Sequence, residues 1–176
     1  MKKIFILYFF LNVCSAHAQN EKAPTLKAIL LEQLKTTHNV KDWFVPLNTA
    51  LEGLTAEQAL WKDSSGNHSI AQLANHLIFW NEQQLEKFQG KQPAAYSGDN
   101  NETFSGLDKN TWDATVKKLD SVLTVWEKAI EDANETKLTS WYSIISHIST
   151  HNAYHTGQII YIRKLQGSWN PENGVK

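Results

Sequence analysis

Residues 141–165 read WYSIISHISTHNAYHTGQIIYIRKL, a long amphipathic run whose interpretation decides the fold. Within it, His151 and His155 stand four positions apart. On an α-helix such residues lie one above the other, so both imidazoles project from one face and can grip one cation. With Ile144 set at zero and about 100° added per residue, Ile148, His151, His155, Gln158, Ile159 and Ile162 fall within roughly 60° of it. That places the histidines on the expected buried stripe, where an unpaired imidazole is costly and a shared metal ion would satisfy both rings. The competing reading of such a pair is a solvated helix face.

No glutamate stands between the two, so this is not the H-E-x-x-H helix of zinc proteases, whose glutamate is the general base. A third ligand must come from another element. His76, in LANHLIFWNE at residues 73–82, is the best candidate because it lies in a second strongly periodic helical run. His76 with Trp80 and Glu82, followed by H-x-x-x-H-x-G-Q over His151, His155, Gly157 and Gln158, resembles the DinB superfamily of four-helix bundles. The early LTAEQALW at 54–61 and the closing GSWNPENGV at 167–175 look like the same superfamily, so the resemblance covers nearly all of the chain after residue 24. It implies an all-α four-helix bundle in up-down-down-up order, with His76, His151 and His155 as a metal triad. Related families use such sites for bacillithiol- or mycothiol-dependent thiol transfer, or are described as metal-dependent hydrolases.

Taken in order, residues 1–18 read as a secretory signal: Lys2 and Lys3, an apolar run from Ile4 to Leu11, and Ala16-His17-Ala18 as a small-x-small cleavage site. The apolar run is too short to span a bilayer. Val13 stands before the single cysteine, Cys14, where a lipoprotein signal needs a small residue, so lipid attachment is not expected. Residues 19–176 are then one domain, exported to the periplasm or medium, mildly acidic and free of cysteine, which excludes disulfides and thiolate ligands.

A first helix is expected after Pro24, carrying Leu26, Ile29, Leu30 and Leu34 and ending near Phe44 or Val45 ahead of Pro46. Thr55-Ala56-Glu57-Gln58 has the form of a capping box and predicts a short helix through Leu60, with a turn at 63–67. Ser69-Ile70-Ala71-Gln72 repeats that pattern and opens a helix to about Phe88, stopped by Gly90. The link 89–106 is long and poor in core residues, and is expected to be a mobile crossover or lid. Further helices are expected over about 107–133 and, after a break at 134–136, about 140–166. Four long helices without an alternating strand pattern predict a bundle.

Three neutral imidazoles leave coordination positions open, as in reactive zinc sites, and zinc or nickel suits such ligands. His147 continues the series but lies about 60° off the stripe centre, either a further ligand, an outer partner of the ligands or a surface residue. His38 and His68 sit in polar surroundings near helix ends and carry no expected role. Gln158 is either an outer partner of a ligand or a buried amide bonded to backbone. Trp112 and Trp126 are expected in the core, whereas Trp80 either lines a pocket or packs, Tyr154 is placed to reach the rim, and Glu82 points away. The partner expected is a small-molecule substrate or ligand. No basic patch argues for nucleic acid, no membrane contact is expected once the signal is removed, and a homodimer is left open. Three readings stay open: a metal-dependent hydrolase or transferase; a non-catalytic metal or small-ligand binding protein, since no general base accompanies the triad in sequence; and a purely structural bundle, which would hold no stoichiometric metal. Export argues against thiol transfer, because those low-molecular-weight thiols are cytosolic.

Overall fold

The structure, a computed structural model, describes residues 23–105 and 108–174; the signal segment 1–18 lies outside them. The described residues are helical, with no strand: α1 Leu26–His38, α2 Leu47–Leu51, α3 Ala56–Leu60, α4 Ile70–Phe88, α5 Trp112–Asp132 and α6 Glu135–Leu165. Short 3₁₀ turns add Asn100–Phe104, Lys109–Thr111 and Pro171–Asn173. The four long helices close a ring in which α1 and α4 each pack on α5 and on α6. Trp126, Leu30, Leu77, Leu123, Ile145 and Ile159 fill its centre. No described helix is long and apolar enough to cross a membrane.

Both capping boxes form as local chemistry dictates. Thr55 accepts from Gln58 N–H and Ser69 from Gln72 N–H, and each glutamine side chain accepts from its cap residue's own N–H. Trp112 and Trp126 are core residues whose indole N–H groups donate to the carbonyls of Leu54 and Asn81 at 3.0 and 3.1 Å.

Four boundaries differ from expectation. α1 ends at His38, and Pro46 is instead the N-cap of the separate helix α2. The reason lies in His38, which is 1 % exposed. Its Nδ1 faces Glu127 Oε1 at 2.6 Å and its Nε2 faces Asp120 Oδ1 at 2.9 Å, so the end of α1 is tied to α5 by a residue to which the sequence assigned nothing. Asn134 is not a breaker but an N-cap, accepting from Lys137 N–H, so α6 starts at Glu135 and not near Ser140. α5 begins at Trp112, after a 3₁₀ turn capped by Asp108.

The described part of the link, 89–105, is strapped to α4. Gln83 donates to the Ala94 carbonyl at 2.9 Å, Trp80 to Asn100 Oδ1 at 3.2 Å, and Asn75 to the Ser105 carbonyl at 2.5 Å.

The buried line of α6 is also rotated from the expected one. Ile144 is 37 % exposed, while Ile145, Ile148, Asn152, His155, Thr156, Ile159 and Arg163 are buried. Their centre lies near Asn152, roughly 80° round the helix from Ile144. A stripe centred on Ile144 and drawn through isoleucines, His151, His155 and Gln158 missed Asn152, Thr156 and Arg163, which α6 buries as well.

Candidate metal centre

α4 and α6 run in opposite senses. Phe88 meets Trp141 edge-on at 5.3 Å between centroids, and His76 meets His155 at 4.7 Å. Between these contacts, Asn81 and Asn152, both fully buried, face each other amide to amide: Asn81 Nδ2 donates to Asn152 Oδ1 at 2.8 Å, and the reverse bond is 3.4 Å. This pair sits about a turn from the histidines and admits one register of α4 against α6. Asn81→Ala orphans a buried amide on α6, which costs about 2 kcal/mol. Asn81→Ala with Asn152→Ala should cost less than the sum of the two single changes. Urea unfolding of the three variants measures both numbers; strict additivity would show that the amides do not interact.

The register brings three rings together. His151 Nε2 lies 3.0 Å from His76 Nε2 and 3.0 Å from His155 Nε2, and one ligand atom from each of the three falls within 4.8 Å of the others. His76 and His155 are 3 % and 6 % exposed, and His151 is half-buried. Among the described residues no Asp or Glu joins the group. His147 is exposed one turn away and lies outside it. Glu82 points away, paired with Lys118.

Tautomers follow from the partners. His76 Nδ1 lies 2.6 Å from the Thr103 hydroxyl, which itself donates to the Asn100 carbonyl at 2.7 Å. The hydroxyl's only proton is engaged there, so His76 Nδ1 carries the hydrogen and Nε2 keeps its lone pair. His155 Nδ1 lies 2.6 Å from Gln158 Oε1, while Gln158 Nε2 donates to the Tyr154 hydroxyl at 3.3 Å. An amide oxygen only accepts, so His155 Nε2 is a lone pair as well. His151 Nδ1, by contrast, is buried with no hydrogen-bond partner among the described residues.

Two lone pairs thus converge on the Nε2 of His151, where a single N–H could serve only one of them well. One cation among the three nitrogens resolves the conflict. Metal–nitrogen bonds of about 2.0–2.1 Å in a tetrahedron separate ligand nitrogens by roughly 3.3 Å, close to the 3.0 Å between His151 and each of the other two. The three rings can therefore hold one metal ion.

Compared with known protein families, residues 46–159 match the DinB superfamily, a span that covers well over half of the chain and includes all three histidines. The chain belongs to the DinB superfamily. No curated protein and no solved structure matches it. The DinB match begins just before α2 and stops at Ile159, so α1 and the tail after α6 lie outside the matched span.

The three rings at this DinB site resist protonation. Burial first, then the neighbouring rings of His155 and His151, push His76 down to about 3. Burial and the His155 ring bring His151 to about 4. Burial also lowers His155, against the opposing pull of its bond to Gln158. All three rings are neutral at neutral pH, the state in which imidazole binds metal.

Two features of the surroundings were not read in the sequence. Phe104 stacks on His76 at 4.1 Å and on His68 at 3.8 Å, so His68 is the outer layer of a ring stack that covers the site. Thr103 comes from the link rather than from a long helix. Thr103→Val should weaken metal binding about tenfold without unfolding the protein, the usual scale for losing an outer partner of a metal-bound imidazole. Thr103→Ser should restore it. Competition against a chromophoric chelator reads both affinities, and an unchanged affinity in the valine variant would remove Thr103 from the site.

Proposed function

We propose that His76, His151 and His155 hold one divalent cation, zinc or nickel, and that the protein is a metal-dependent hydrolase or transferase acting on a small molecule. The observation that carries this reading is the meeting of Nε2 atoms from two helices, with Thr103 and Gln158 fixing the protons of two rings on the far side. Three protein ligands leave positions for a substrate. Bound there, a divalent ion would polarise a substrate heteroatom as a Lewis acid. The chain's own part is to keep the His76 and His155 rings in their ligating tautomer and to screen His76 from water with the Phe104–His68 stack.

A second reading has one observation in its favour: among the described residues no carboxylate lies in the group to act as a general base. On that reading the protein binds a metal, or a small ligand on a metal, without turnover. Elemental analysis of the purified protein, followed by an ester, amide and thiol-transfer panel with zinc or nickel added, separates the two. Metal-dependent turnover supports the enzyme, stoichiometric metal without turnover supports the binding protein, and no metal after loading overturns both.

Export belongs to the same proposal, on the strength of Lys2, Lys3, the apolar run and Ala16-His17-Ala18. A mature N-terminus at or near Gln19, found outside the cytoplasm by mass spectrometry, is the expected result; an intact Met1 overturns it.

A further inference from the structure

Beside the three histidines, α4 and α6 leave a groove of about 430 Å3 lined by Trp80, Gln84, Ile144, His147, Ile148 and His151. It is continuous with the proposed metal centre, because His151 belongs to both. None of the six carries a carboxylate, an ammonium or a guanidinium. Two isoleucines and an indole form its walls, and the polar exceptions are the Gln84 amide and the His147 and His151 rings. Ile144 is 37 % exposed, an aliphatic side chain that the bundle core does not use. Trp80 is held in place: its indole N–H is engaged by Asn100, and its ring packs against Phe79 at 5.2 Å and Tyr96 at 5.4 Å between centroids. A wall fixed before the ligand arrives loses little freedom on binding.

The opposite flank differs. A cavity of about 360 Å3 there carries Lys62 and Asp63, and of the residues bonded to the three histidines it is lined only by Gln158.

We propose that the groove along Trp80, Ile144 and Ile148 receives an uncharged apolar portion of the substrate. The substrate class is then a neutral acyl or aryl compound whose heteroatom head sits at the three histidines. This rests on the metal-centre reading above. A charged chain is disfavoured, because the groove offers no counter-charge and a buried unpaired charge costs more than apolar contacts return.

The test is calorimetric titration of the zinc-loaded full-length mature protein with straight-chain hydroxamic acids from acetohydroxamic to octanohydroxamic, the hydroxamate serving as a general metal-binding head. Affinity should rise about fourfold per methylene, the order expected for moving one CH₂ out of water. A chain of equal length ending in a carboxylate should bind no tighter than acetohydroxamic acid. Ile144→Ser, at a partly exposed position, should keep its zinc and its fold yet flatten the series, and Trp80→Ala should flatten it too. A flat series on zinc-loaded wild-type protein, or a full slope in Ile144→Ser, overturns the groove assignment alone. Protein that takes up no zinc overturns the metal centre and the groove together.

Discussion

Protein loaded with zinc or nickel and washed free of excess is expected to hold one ion per chain, and His76→Ala, His151→Ala or His155→Ala to lose it under the same wash. Each nitrogen is one of three around a common point, so losing any one removes a ligand and leaves two unable to close the site. The loss should exceed about 100-fold in affinity, beyond the 10–100-fold typical of outer partners. A second substitution in any pair should then add little, as expected for residues that act as one unit. His147→Ala is the internal control and should keep its ion, since that ring is exposed and outside the group. The fold should survive every one of these changes, because the centre is filled by Trp126, Leu123, Ile145 and their neighbours independently of the ion. Chelation should lower wild-type stability by about 2.7 kcal/mol when the ion was present at 100 times its Kd, and leave the three alanine variants unmoved. Release of the ion by His147→Ala with retention by His76→Ala would mean a cluster confined to α6, and the two-helix centre would be wrong.

What was legible in the sequence was local. The capping boxes at Thr55 and Ser69 close within four residues, and each formed as read. The i, i+4 pair of His151 and His155 is likewise a property of one helix, and the periodic run around His76 supplied the third ring. What escaped depends on contacts between distant segments. Thr103 reaches His76 across 27 positions from a link that reads as loop, and Asn81 and Asn152 are 71 apart. His38 ends α1 because carboxylates 82 and 89 positions away meet its ring, and no local propensity encodes that. The rotated face of α6 has the same origin. A helix packed on two neighbours buries Asn152, Thr156 and Arg163 beside its isoleucines, so an apolar stripe marks only part of what is inside.

Arg163→Ala is expected to cost about 3 kcal/mol or more in urea unfolding, while the folded fraction still binds metal. Arg163 is 4 % exposed, two turns beyond His155 on the same helix. Its Nη1 donates to the carbonyls of Ala50 at 2.7 Å and Glu52 at 3.0 Å, and its Nη2 to the carbonyl of Ser168 at 2.8 Å. The guanidinium therefore joins the end of α2 and the tail to α6, with Trp169 stacked over it at 5.2 Å. Truncation leaves three carbonyls short of a charged donor and opens a cavity under the indole; hydrogen bonds to a charged group contribute about 1.5–3 kcal/mol each and do not add fully. Lysine cannot substitute, because a point-like ammonium does not reproduce a planar fork that serves three acceptors from two nitrogens. Arg163→Lys should thus recover less than half of the loss. Lysine at wild-type stability, or a cost below about 1 kcal/mol for alanine, would show that α2 and the tail are held by apolar packing alone. Because the three histidines lie on α4 and the middle of α6, loss of metal by a folded Arg163→Ala protein would instead make this clamp part of what positions the site.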